Sequence, residues 1–84
     1  MNIQIRQAGS NRTELRAGDT RILFSYDTPV AGFSPEYGYF KTETFHSVTT
    51  SRHVNQWLKG EGKDPKAVSK LKDSDIGGLV GGAS

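Results

Sequence analysis

The hydrophobic period of this chain changes once, near residue 50, and that change calls for a mixed fold. Before it, Ile3 and Ile5 alternate with Gln4 and Arg6, and Ile22, Phe24 and Tyr26 alternate with Leu23 and Ser25. A period of two is that of a half-buried strand. After it, Val54, Trp57 and Leu58 recur at i, i+3 and i+4, so one stripe of a helix is apolar while Arg52, Asn55, Gln56 and Lys59 face away.

Turn residues divide the first half. A first strand over 2–7 meets Gly9, Ser10 and Asn11; residues 13–16 pair back, and Ala17, Gly18, Asp19 and Thr20 make a second turn. Residues 21–26 carry the strongest strand signal and read as the central strand. Pro29 lacks a backbone donor, so 28–33 reads as a bend leading into an edge strand. Residues 34–38, with Pro35 and Gly38, form a tight turn before a Thr- and aromatic-rich strand over 39–45. In the second half, Thr50 or Ser51 caps a helix that ends with Gly60 as its C′ residue. Asp64 and Pro65 then open a second, shorter helix carrying Val68 and Leu71 and ending near Lys72. Four glycines in residues 77–84 suggest a flexible tail, since each ordered glycine loses extra backbone entropy. The expectation is an α+β fold: a small antiparallel meander of four to five strands followed by one or two short helices packed on the sheet. A single domain spans 1–76, and the tail spans 77–84.

Composition narrows the function classes. A chain of 84 residues buries only about 60–65% of its unfolded surface, so a partner is a natural source of added stability. A homodimer formed by pairing sheet edges would also enlarge the core. No cysteine is present, which removes disulfides, thiolate nucleophiles and Cys-based zinc sites and points to a reducing, cytoplasmic setting. The segment Met1–Arg6 has no apolar signal region, and no run approaches a spanning helix, so neither secretion nor membrane insertion is expected. The formal charge is only +2, yet Lys59, Lys63, Lys66, Lys70 and Lys72 outnumber Glu61 and Asp64 in the same stretch. A solvated helix face is the plainest reading of such a run.

Three groups of residues carry candidate chemistry. Thr49, Thr50, Ser51, Arg52 and His53 stand where a helix begins, where free N–H groups and the positive dipole end favour anions. Simple capping would account for most of their hydroxyls. His46 and His53 lack a spaced third ligand, so no metal is expected. Nor is there a nucleophile, base and orienting carboxylate near in sequence, so neither an enzyme nor a cofactor is expected. Finally, Phe33, Tyr37 and Tyr39 lie about a turn whose tip cannot hide every ring. Together with Arg52, Asn55, Gln56 and Lys59 they make a candidate partner-binding surface.

Two motifs stand out: S-Y-x-T-P-V-A over residues 25–31 and S-x-T-T-S-x-H-x-N-x-W-L over 47–58. With the strand between them they resemble a group of small uncharacterised proteins of bacteriophages and mobile elements, over about residues 20–59. The resemblance implies a phage accessory protein in a bacterial host cell. Such proteins commonly bind a host machine stoichiometrically, including immune effectors such as CRISPR complexes, so a non-enzymatic anti-defence inhibitor is the expected function. The alternative expectation is a nucleic-acid or nucleotide-phosphate binder that uses the helix start at 49–53 and the C-terminal lysines.

Overall fold

The computed structural model describes residues 3–9 and 11–82. Six strands and two helices follow in the order β1 (Ile3–Gly9), β2 (Arg12–Ala17), β3 (Thr20–Ser25), β4 (Thr28–Ser34), β5 (Gly38–Thr42), α1 (Val48–Gly60), β6 (Ser69–Leu71) and α2 (Asp73–Gly82). The strands form one sheet in sequential order, β1 to β6. Every pair is antiparallel except β5–β6, which is parallel. This is the expected α+β meander with two short helices packed on it and one further strand. Among the described residues no helix is long and apolar enough to cross a membrane.

Strand register sorts the side chains onto two faces. Leu15, Ile22, Gly32 and Phe40 lie in one row across β2 to β5. The next row holds Glu14, Leu23, Ala31, Lys41 and Lys70. Successive strand residues point to opposite faces, and Ile22 and Leu23 are both wholly buried, so each face needs a cover. α1 supplies one, packing Val54 and Leu58 on Leu23, Val30 and Ala31, with Tyr39, Trp57 and Val68 at the margin. α2 supplies the other, setting Ile76 on Ile22 and Phe40, with Leu15, Phe24, Leu71 and Leu79 around it.

Four expectations are corrected here. Residues 28–33 are not an edge: β4 lies between β3 and β5, and Pro29 is accommodated at an irregularity in the β3–β4 register between Leu23 and Phe24, where its missing donor breaks no regular ladder. The second helix over 64–72 is a single turn, in which the Ala67 N–H donates to the Asp64 carbonyl at 2.9 Å, followed by β6. Val68 and Leu71 explain the change. A helix would place them on one face, whereas here Val68 joins the α1 side and Leu71 the α2 side. α1 also keeps Gly60 as its last helical residue, so Gly60 is not the C′ position. Gly62 (φ 76) takes the left-handed position, and Lys63 and Gly62 donate back to the Leu58 and Lys59 carbonyls at 2.9 and 3.0 Å, a Schellman ending.

Lastly, residues 77–82 of the anticipated tail belong to α2, while Ala83 and Ser84 lie outside the described residues. Each glycine in a helix interior costs about 1 kcal/mol relative to alanine. Against this stand the complete burial of Ile76 and the acids Asp73 and Asp75 in the first turn, which suit the positive end of the helix.

Gly32 makes the close packing of β3, β4 and β5 possible. A Cβ at this position would lie 2.1 Å from the Arg21 carbonyl oxygen and 2.8 Å from Phe40 Cζ, one of them rigid backbone. Gly32→Ala is therefore expected to cost about 3 kcal/mol or more. That loss lowers the melting temperature by about 10–20 °C in a domain of this size. A circular-dichroism melt checks it, and an unchanged transition would show that the strands can separate at no cost.

Candidate functional site

α1 begins at the point where the two sequence motifs meet in space. Its N-cap is Ser47, not Thr50 or Ser51: Ser47 is extended (φ −167, ψ 165), and its Oγ accepts the Thr50 N–H at 3.0 Å. This frees the Thr50 hydroxyl to turn inward, 3.2 Å from Ser47 Oγ and 3.1 Å from Ser25 Oγ. Ser25 Oγ lies in turn 2.9 Å from His53 Nδ1. Ser25, Thr50 and His53 are all buried. Their bonds satisfy polar groups that would otherwise each cost about 1–3 kcal/mol. The network ties the end of β3 to the first two turns of α1.

A serine next to a histidine is also half of a nucleophilic pair, but this one is built differently. Ser25 is only 2% exposed, and the charges acting on His53 are the Arg12 and Arg52 guanidiniums. Cations there oppose the imidazolium that such a mechanism would form. Burial, and then those two arginines, hold the His53 pKa below its ordinary value of 6.5.

The five residues at 49–53 therefore do not converge on one anion. Thr50 and His53 serve the interior, Thr49 and Arg52 are exposed, and Ser51 is half-buried against a cavity beside β5. His46 has a different partner from His53: its Nε2 lies 3.2 Å from Asp73 Oδ2. Among the described residues no group of three or more His, Cys, Asp or Glu side chains is arranged to hold a metal.

The aromatic turn is also divided. Phe33 and Tyr39 are half-buried with ring centroids 4.9 Å apart. Together with Trp57 they surround the Arg21 guanidinium, whose Cζ lies 5.5, 5.6 and 5.9 Å from the three rings. Arg21 is paired with Glu61 and donates to the Tyr39 hydroxyl at 2.8 Å. Stacking on aromatic faces suits a guanidinium better than an ammonium. This cluster locks the end of α1 to β3 and β5. Beside it, the indole N–H of Trp57 donates to the buried Glu14 carboxylate at 3.2 Å, and Arg16 Nε donates to the same group at 3.0 Å. Tyr37 is exposed, but it leans edge-on over Phe40 on the opposite face of the sheet from α1. Of the partner-binding residues anticipated from the sequence, Arg52, Asn55, Gln56 and Lys59 remain together on the exposed side of α1.

One exposed aromatic residue is placed in the core by its sequence pattern. Tyr26, in the hairpin between β3 and β4, has φ 57 and remains 54% exposed, its ring centroid 6.1 Å from that of His53. Next to it, Arg12 Nη1 donates to Gln56 Oε1 at 2.9 Å across the β2 flank of α1. The period-two pattern assigns Tyr26 to the core row of its strand. The left-handed turn turns it out instead.

The depressed His53 pKa has a definite consequence for stability. Unfolded His53 takes up a proton near pH 6.5, where the folded form still resists it, so the unfolded state binds more protons and stability falls as pH drops below that value. The His53 contribution is complete above pH 6.5 and is lost progressively on acidification. Melting temperatures recorded from pH 7.5 to 5.5 should decline for the natural chain and stay flatter for His53→Gln. Equal declines in both would assign the effect to another group.

No curated protein and no solved structure matches the chain. A family model does, over residues 2–75, which includes both motifs, the hydroxyl–imidazole network and the Arg21 cluster. The chain belongs to DUF8033, a family of unknown function.

Proposed function

We propose that the protein is a non-enzymatic accessory protein of phage type, which binds a host protein stoichiometrically and so inhibits or redirects it. The contact surface is the exposed side of α1 with the β3–β4 hairpin next to it. The observation that carries this reading is Tyr26. A left-handed conformation costs a non-glycine residue roughly 1–2 kcal/mol, and a ring left 54% exposed gains little burial in return. Backbone strain kept at a residue that faces solvent points to contact with something outside the chain.

Its surroundings suit a protein partner. Arg52 and Gln56 lie on the same side of α1, and Val48, 67% exposed, adds an apolar element at the helix start. Tyrosine and arginine are the side chains that most often dominate protein interfaces. No acid stands in the first turn of α1, and Lys59 adds charge in the last, so an acidic partner surface is the electrostatic complement. The phage provenance rests on the resemblance carried by the two motifs. Tyr26 comes from the first and His53, against which it leans, from the second.

Affinity capture from a bacterial host lysate, followed by mass spectrometry, tests the reading. A host protein should be retained in roughly equal amount with the natural chain and lost with Tyr26→Asn or Arg52→Ala. Because asparagine tolerates positive φ, Tyr26→Asn should melt at or above the natural temperature, which separates binding from folding. If no host protein is retained at that level, or if both variants capture it unchanged, the proposal fails.

A further inference from the structure

α1 has a second flank, and apart from Asn55 and Lys59, which border both surfaces, the cleft beneath it holds chemistry that the partner surface does not use. Ser51, Asn55 and Lys59 succeed one another at four-residue intervals and border two adjoining cavities, of about 270 and 250 Å³, which share Lys41 and Asn55. The floor is the β5–β6 ladder, where Lys41 and Lys70 are direct register partners. Neighbours on adjacent strands project to the same face, so the two lysine side chains leave the sheet side by side. Like charges placed opposite each other across strands are destabilising. Among the described residues no carboxylate forms an ion pair with either lysine.

The positive charge continues along the cleft. Lys59 and Lys66 line its far cavity, where the Asp64 carboxylate accepts the Lys66 backbone N–H at 2.9 Å. Glu43 is the acid in the near cavity. From Ser51 to Lys59 the helix advances about 12 Å, a longer row of donors and cations than one phosphate can engage. At the near end, Phe45 lines the same cavity as Lys41 and Lys70, and its ring is 72% exposed. An apolar ring left that open next to two cations that form no ion pair among the described residues suits a ligand that is anionic and aromatic together.

We propose that this cleft binds single-stranded nucleic acid, with Lys41, Lys70, Lys59 and Lys66 along the phosphates and a base stacked on Phe45. A basic groove combined with an aromatic platform is how single strands are held without sequence preference. An acidic peptide would satisfy the lysines and leave the ring unused. The inference does not depend on partner binding at Tyr26, which lies on the other flank of α1.

Fluorescence anisotropy of the full chain with a fluorescein-labelled oligothymidylate of about 12 nucleotides, a length that covers one small binding groove, tests it. Affinity should fall with salt, and Lys41→Ala and Lys70→Ala should each reduce the logarithmic salt slope by about 0.7, the value for one single-strand phosphate contact. Phe45→Ala should weaken binding about 5- to 100-fold with the slope unchanged, as expected for a lost stacking contact. Both lysine variants should melt no lower than the natural chain, since each relieves a repulsion, so lost binding cannot be ascribed to unfolding. Tyr26→Asn should bind the oligonucleotide normally, so this proposal and the one on the host protein fail separately. The inference is overturned by no binding at low salt, or by a slope that neither lysine variant changes. It is equally overturned if inorganic phosphate competes mole for mole, which would mean a single-anion site, or if polyglutamate binds as tightly, which would mean an acidic peptide.

Discussion

Everything in this fold follows from two adjacent residues in β3. Ile22 and Leu23 are both fully buried, yet neighbours on a strand point to opposite sides of the sheet. The sheet must therefore be covered twice, and the chain has two short helices with which to do it. α1, amphipathic and capped at both ends, covers the Leu23 side. α2 covers the Ile22 side in spite of its glycines, because its Ile76 closes the core over Ile22 and Phe40 there. Gly32 belongs to the same constraint. Only a residue without a side chain lets β4 pass so close to Arg21 and Phe40 that both layers can pack.

Once α1 is committed to one face, its remaining surface divides into two flanks. The β2 flank meets Arg12 and the Tyr26 hairpin, and the β5–β6 flank overhangs the paired lysines. Most residues of the two sequence motifs are spent on fixing the helix. Ser25, Ser47, Thr50 and His53 make the hydroxyl–imidazole network, while Trp57 and Leu58 enter the packing. Of the fixed motif positions Tyr26, Ser51 and Asn55 are left at the candidate surfaces; Val48, Arg52 and Gln56 stand at variable positions, and the cleft lysines and Phe45 lie beyond the motifs. A motif in a family of unknown function can thus mark the joint that orients a surface rather than the surface itself.

How far the fold was legible differs from element to element, and the reason is the range of the signal. The first five strands and α1 were readable because turn residues and a period of two or 3.6 are local properties. β6 was not, because Val68 and Leu71 three apart satisfy a helical stripe equally well, and only the two-sided core separates them. α2 was missed because its glycines argue locally for disorder, while the burial of Ile76 that opposes them is a long-range contact. The same holds at the candidate sites. Arg52, Asn55, Gln56 and Lys59 were placed on an exposed helix face from spacing alone. The turn alone does not tell which of its rings are hidden, because Arg21, which draws Phe33 and Tyr39 inward, stands on another strand.

The sequence by itself determined an α+β chain of short antiparallel strands followed by an amphipathic helix, a chain without cysteine and with five of its lysines gathered between residues 59 and 72. It also determined that hydroxyls would begin the helix, since local hydrogen bonding is written in neighbouring residues. Only the tertiary structure decided which residues share a surface. The pairing of Lys41 with Lys70 depends on a parallel strand brought back by the α1 crossover, and the exposure of Tyr26 depends on one left-handed turn. Both are matters of register and backbone conformation, set by the burial of distant side chains, and no local pattern encodes them.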